Sequence, residues 1–230
     1  MIGADAIVKC LEEEGVSYVF GYPGVAICPF YNSILQSTIK SVLVRTEQNA
    51  AHAASGLARV TGKVGVCAVT SGPGATNVIT GIATAFADSI PLVCITGQVN
   101  SALLGSDVFQ EADITGAVES FVKYSYLIKD ANEIPRIFKE AFHIANSGRK
   151  GPVLIDIPID VQNAEIKKFV YPDTISMRTY KPTVKAKKWL RSFQRQRDRS
   201  SVQEAGFFWR MPRKGWSALH KSIRSRWCPR

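Results

Sequence analysis

The sequence predicts an α/β protein: a doubly wound, six-stranded parallel sheet with helices on both faces. Three observations predict it. Short apolar runs alternate with helical periods through residue 157, the pattern of successive βα units. The run at 64–69 is apolar throughout, as in a strand covered on both faces. Two glycine-containing turns, Gly21-Tyr22-Pro23-Gly24 and Ser71-Gly72-Pro73-Gly74, follow strands, where open α/β sheets place ligands.

The elements follow in order. Residues 4–14 put Ile7, Val8 and Leu11 on one helical face, and Gly15 stands just past the end, a position that favours glycine. Residues 18–20 read as a strand, 29–35 as a helix and 42–44 as a second strand. A helix over 48–60 is rich in alanine, with Ser55 and Gly56, so a neighbouring element can approach closely. Strand 64–69 leads to a helix over 75–87 and to strand 92–96. Residues 97–115 show no period, and segments of that length without regular structure are often functional. Residues 124–128 read as a strand. Asn132 is placed to cap a helix running to 147, with Pro135 tolerated in its first turn. Strand 153–157 is the sixth. Residues 158–185 read as an exit linker, being rich in proline and polar residues.

Glu47 is the most informative residue. It follows the second strand and opens the alanine-rich helix, so its carboxylate is placed to reach out of the carboxyl end of the sheet. The competing reading is an acid that offsets the helix dipole. Ser71-Gly72-Pro73-Gly74-Ala75-Thr76-Asn77 joins a strand to a helix, where glycines let backbone approach a ligand. Asn77 stands where a third glycine would complete a dinucleotide fingerprint. Phe109-Gln110-Glu111-Ala112-Asp113 lies in the aperiodic segment. Arg149, in Gly148-Arg149-Lys150-Gly151, reads equally as a surface turn residue or an anion contact. The three histidines lie far apart, and neither a metal-ligand cluster nor a Ser/His/Asp pattern stands out.

The net charge of +10 is misleading. Residues 1–177 carry 13 basic and 17 acidic side chains, whereas 178–230 carry 16 basic and 2 acidic. The body therefore gives no electrostatic reason to expect a nucleic-acid partner. All four tryptophans, Trp189, Trp209, Trp216 and Trp227, lie in the basic end. That end reads as an unfolded or out-of-frame extension; the competing reading is a nucleic-acid binder that stacks bases on aromatics. Five cysteines without a CxxC fit a reducing cytoplasm, and cytoplasmic localisation is expected. Cys67 and Cys94 fall in apolar strands and read as buried small hydrophobes. No secretory signal or bilayer-length apolar run is apparent.

Together the ordered motifs carry a resemblance. Phe20-Gly21-Tyr22-Pro23-Gly24, the run 47–54, Gly56 through Gly65, Thr70 through Asn77, Thr96-Gly97-Gln98-Val99, residues 109–113 and 148–158 are similar to the amino-terminal, pyrimidine-binding domain of thiamine-diphosphate enzymes. Among those, residues 1–183 most resemble acetolactate synthase large subunits. The resemblance implies that Glu47 hydrogen-bonds N1′ of the cofactor's aminopyrimidine and favours its imino tautomer. The reaction implied is decarboxylation of pyruvate and condensation of the two-carbon unit with a second 2-keto acid, in branched-chain amino-acid biosynthesis. Tyr22, Pro23, Gly24, Thr70, Pro73 and Asn77 would line the pyrimidine pocket. Gln110 and Val25 would lie near the thiazolium, and Arg149 would contact FAD. Pyruvate oxidase, sulfoacetaldehyde acetyltransferase and 2-keto acid decarboxylases are the related alternatives; a non-catalytic partner-binding module is the alternative of another kind. Three positions depart from the family pattern: Val25 for glycine, Asn100 for proline, and Ile159 for lysine. The resemblance divides the chain into a pyrimidine domain (1–165), a linker (166–185) and the basic end (186–230). The family continues into FAD and diphosphate–Mg²⁺ domains. The chain is therefore expected to be inactive alone and to meet a second copy or an intact large subunit through its pocket face.

Overall fold

The computed structural model describes residues 1–174, and the basic end, with the readings made for it, lies outside the described residues. The order of elements is α1 (Gly3–Glu13), β1 (Tyr18–Tyr22), α2 (Cys28–Ile34), β2 (Lys40–Leu43), α3 (Glu47–Thr61), β3 (Gly65–Val69), α4 (Pro73–Asn77), α5 (Ile79–Ala87), β4 (Leu92–Gln98), α6 (Ile114–Ala117), β5 (Tyr124–Leu127), α7 (Ile134–Asn146), β6 (Pro152–Pro158) and α8 (Ile159–Asn163), with short 3₁₀ turns between them. The six strands form one parallel sheet in the order β2-β1-β3-β4-β6-β5. The predicted fold class is the observed one.

Side-chain alternation divides the core into two layers. Val66 and Ala68 of β3, Val93 and Ile95 of β4, and Val153, Ile155 and Ile157 of β6 meet α1, α2, α7 and α8 on one face. Cys67, Val69, Leu92, Cys94 and Leu154 meet α3, α4, α5 and α6 on the other. β3, β4 and β6 are buried along their whole length, which explains their unbroken apolar sequence. Cys67 and Cys94, in register on adjacent strands, are buried as expected.

Three local details differ from the sequence reading. The helix expected over 75–87 is two: Pro73 starts α4 directly after the Gly72 turn, and Val78 joins α4 to α5. The helix before β6 is preceded by a 3₁₀ turn at Ala131–Glu133 whose cap is Asp130, not Asn132; the Asp130 carboxylate accepts from Asn132 N. The stretch read as an exit linker begins with α8, and Phe169 and Tyr171 pack back on the α1–α7 layer. Tyr171 also donates its hydroxyl to Glu14 Oε1 at 2.7 Å.

β1 pairs with β2 on one side and β3 on the other. The connection from β1 to β2 runs through α2 on one face, and that from β2 to β3 through α3 on the opposite face. The chain thus reverses direction at β1/β3, and the crevice beyond their carboxyl ends is the place a doubly wound sheet offers a ligand.

Candidate functional site

The loops after β1 and β3 meet at this crevice. Gly21 at the end of β1 lies so close to β3 that a Cβ there would fall 1.9 Å from Ala68 O. Thr70, just after β3, is wedged between two glycines. A side chain on Gly24 would approach Thr70 Oγ1 to 2.6 Å, and one on Gly74 would approach Thr70 Cγ2 to 2.6 Å and Glu47 Oε1 to 3.2 Å. Gly72 has φ +58° and its Cα abuts the backbone of Gln110; both constraints require glycine. These glycines hold backbone where side chains would otherwise fill the crevice.

Glu47 is the first residue of α3, half-buried, beside the crevice. Its Oε2 accepts from Asn77 Nδ2 at 2.9 Å. Asn77 ends α4, and the helix break at Val78 lets that last turn face Glu47. Thr70 Oγ1 and Ser71 Oγ are buried with no hydrogen-bond partner among the described residues. Buried hydroxyls normally find partners, so two orphans side by side mark a place prepared for a polar ligand.

Next to them lies a small cavity of about 180 Å³. Val25, Ala26, Val99, Phe109 and Ile159 give it an apolar wall, and Ser71 and Gln110 add polar groups. Val25 and Phe109 are mostly exposed, at 74% and 87%, so the cavity opens outward past two apolar side chains. Gln110 has φ +61°, uncommon for a residue with a side chain. Its segment is held by Glu111, whose carboxylate accepts from Gly105 N and, at 3.2 Å, from Val108 N. Those backbone N–H groups, Gly105 first, hold the Glu111 carboxyl below the usual carboxylate range. Asp160 accepts from Ser101 N at 2.9 Å and ties the start of the same segment to α8.

Residues 1–117 match the family described as thiamine pyrophosphate enzyme, N-terminal TPP binding domain. This chain belongs to that family. Curated proteins named acetolactate synthase match a longer stretch of the chain. The chain is 55% identical over 183 residues to the acetolactate synthase large subunit of Corynebacterium glutamicum, covering 79% of this chain and 29% of that one. It is 52% identical over 184 residues to the probable acetolactate synthase large subunit of Methanocaldococcus jannaschii, covering 79% and 31%. It is 52% identical over 183 residues to the acetolactate synthase isozyme 3 large subunit of Escherichia coli (strain K12), covering 79% and 32%. The chain spans about a third of the length of the curated relatives it matches.

Of the residues singled out in this thiamine pyrophosphate enzyme domain, the structure gathers Tyr22, Pro23, Gly24, Val25, Glu47, Thr70, Pro73, Asn77 and Gln110 along the carboxyl edge of the sheet. Arg149 is elsewhere. It precedes β6, at the amino edge, where Nε donates to Ser89 Oγ at 3.0 Å, Nη2 donates to Phe86 O at 3.1 Å, and the guanidinium lies over the Phe86 ring. Sequence reasoning passed over Ser71 as anything but a turn residue. Thr96, Gln98 and Asp156 entered only as members of the runs 96–99 and 148–158 that carry the resemblance, with no role of their own; they form a buried polar cluster at the ends of β4 and β6. The available signal was an acid inside the otherwise apolar run 153–157.

Proposed function

We propose that this chain supplies the pyrimidine-binding half of an acetolactate synthase active site, with Glu47 as its catalytic carboxylate. The observation that carries the reading is the grouping of Glu47, Asn77 and the two unpartnered hydroxyls of Thr70 and Ser71 at the β1/β3 crevice. The donor set suits an aminopyrimidine. A carboxylate can hold a proton against a ring nitrogen, hydroxyls can donate or accept at the ring edge, and the glycine-lined crevice leaves room for a flat ring. Tyr22, Pro23, Gly24 and Pro73 would bound that space, and Gln110 and Val25, which line the adjoining cavity, would lie near the thiazolium. When bound, thiamine diphosphate supplies the carbon nucleophile and the electron sink for decarboxylation of a 2-keto acid.

The chain's own contribution is to position and to move a proton. Asn77 fixes one oxygen of Glu47 by donating to Oε2. The small Gly74 keeps the space beside Oε1 open. Glu47 is thereby set to share a proton with a ring nitrogen. Val25, Val99, Phe109 and Ile159 give the reacting side of the site an apolar wall. The substrates are pyruvate and a second 2-keto acid. The names of the relatives do not favour an oxidase, a sulfoacetaldehyde acetyltransferase or a decarboxylase.

Within this reading the pocket face meets a second copy of the chain or an intact large subunit, and of these the intact large subunit would hold the diphosphate and Mg²⁺. No described cluster of His, Cys, Asp and Glu is suited to a metal. The Arg149 contacts do not by themselves make a flavin cradle, and FAD enters no step. No helix among the described residues is long and apolar enough to cross a membrane. The thiols of Cys10, Cys67 and Cys94 are free and buried, which suits the cytoplasm.

The test is thiamine diphosphate binding to the purified 230-residue chain by calorimetry, followed by acetolactate formation from pyruvate with Mg²⁺ and FAD. The expected result is weak binding, reduced in Glu47→Gln, with no acetolactate formed by the chain alone. Binding of equal strength in Glu47→Gln overturns the assignment of Glu47. Robust acetolactate formation by the chain alone overturns the half-site reading.

A further inference from the structure

One carboxylate in the core plays no part in the chemistry above. Asp156, near the carboxyl end of β6, is 2% exposed and has no ion-pair partner among the described residues. Its neutral partners both come from β4: Thr96 Oγ1 donates to Oδ1 at 2.6 Å, and Gln98 Nε2 donates to Oδ2 at 3.0 Å. Burial pushes its pKa up to about 7, against the opposing pull of those two hydrogen bonds. A buried acid without a cation is costly, and an apolar residue would continue the strand without that cost. What the carboxylate does is visible in its partner.

Gln98 stands at the neck of the segment that lines the cavity. Its Nε2 also donates to Ala112 O at 2.9 Å, and its Oε1 accepts from Val99 N at 2.9 Å. One amide thus ties together the two ends of the stretch 99–112, which carries Phe109 and Gln110. The amide can do this in only one sense, with nitrogen toward Ala112 and oxygen toward Val99. Asp156 Oδ2 accepts from that same Nε2, so Asp156 favours that sense.

We infer that Asp156 is a positioning residue, which orients Gln98 and so closes the neck of the 99–112 segment and holds Phe109 and Gln110 at the cavity. What this does for cofactor binding rests on the function proposed above, whereas the control of the segment does not.

Three variants of the full chain test it. Asp156→Val removes the acceptor in a residue suited to a buried strand. Gln98→Met keeps the length and removes both donors. Asp156→Asn preserves the clamp, because its amide oxygen can accept from Gln98 while its nitrogen donates to the Thr96 hydroxyl. Amide hydrogen exchange is read without ligand, and thiamine diphosphate affinity is read by calorimetry. We expect Asp156→Val and Gln98→Met to speed exchange across 99–113 by tenfold or more, with β3 and β4 unchanged, and to weaken cofactor binding several-fold. Asp156→Asn should match the unaltered chain in both. Unchanged exchange in folded Asp156→Val or in Gln98→Met overturns the inference, as does an Asn variant that behaves like the Val variant. Should Asp156→Val fail to fold, Gln98→Met and Asp156→Asn decide it. An unaltered chain that fails to bind the cofactor sinks the proposed function, while the exchange result still judges the clamp.

Discussion

The two helical layers on this sheet are packed with different side chains. On one face, α1, α2 and α7 bury Leu11, Phe30, Ile34, Phe138 and Phe142. On the other, α3 and α5 bury Ala50, Ala51, Ala54, Ala58 and Ala85 and one large side chain, Ile82, with Gly81 between the helices. A Cβ on Gly81 would fall 2.4 Å from Ala51 Cβ, and one on Gly65 would fall 2.2 Å from Ala54 O. The first layer removes large apolar area from water, the main source of stability. The second sets backbone against backbone, so α3, which carries Glu47, is placed with little side-chain freedom. The buried polar residues of the central strands follow the same division. Alternation puts Thr96, Gln98 and Asp156 on the α3 side, with Leu92, Cys94 and Leu154. Bulk stabilises one face; close approach and polar contacts shape the other.

The largest test of this division is Phe138→Ala in the bulky layer. It should cost about 3–5 kcal/mol of stability, measured by urea unfolding, while cofactor affinity of the folded fraction stays unchanged. Loss of affinity in parallel would mean that the two layers are not separable. Gly81→Ala in the small layer overpacks the α3–α5 contact and should cost about 1–3 kcal/mol. Because it displaces α3, it should also weaken thiamine diphosphate binding, and calorimetry that finds affinity intact would remove the link between close packing and Glu47.

The next test uses pH. The folded pKa of Asp156 is raised to about 7 by burial, so the folded chain holds a proton that the unfolded chain releases. Its stabilising contribution is complete below about pH 4 and declines as pH rises to about 7, by at most about 1.4 kcal/mol per pH unit. The difference in stability between the unaltered chain and Asp156→Asn should change with that sign across the window, and a pH-independent difference would mean that the carboxyl is not desolvated. The smallest effect on stability is expected for Glu47→Gln. It keeps an acceptor for Asn77 and should change unfolding free energy by under about 1 kcal/mol while reducing cofactor affinity. A large loss of stability would recast Glu47 as a structural cap.

Most of the architecture was legible because a parallel sheet covered on both faces imposes continuous apolar strands, and residues 64–69 and 92–96 show them plainly. Glu47 was legible for a related reason, since strand end, acid and small-residue helix are adjacent in sequence. The break at Val78 was not, because no proline or glycine stands at 76–80 to announce it; it follows from a start fixed by Pro73 and a last turn facing Glu47. Asp130 was missed as a cap because it lies before a 3₁₀ turn rather than the helix itself. The Asp156 clamp joins residues 58 and 60 positions apart, and nothing local to either strand announces the partner. Ser71 was hidden for another reason: its turn explains a serine well enough until the hydroxyl is found buried and unpartnered.

The place of β6 in the sheet has a consequence for how the chain is made. It is the last strand in sequence among the described residues, yet it lies between β4 and β5, pairing with seven residues of β4. During translation β4 is finished at residue 98, and its partner is complete only at residue 158. At about 5–20 residues per second, the nascent chain carries that open apolar edge for roughly 3–12 s. An unpaired strand edge recruits other strands, so the interval before β6 arrives is when this domain is most exposed to misassembly on the ribosome.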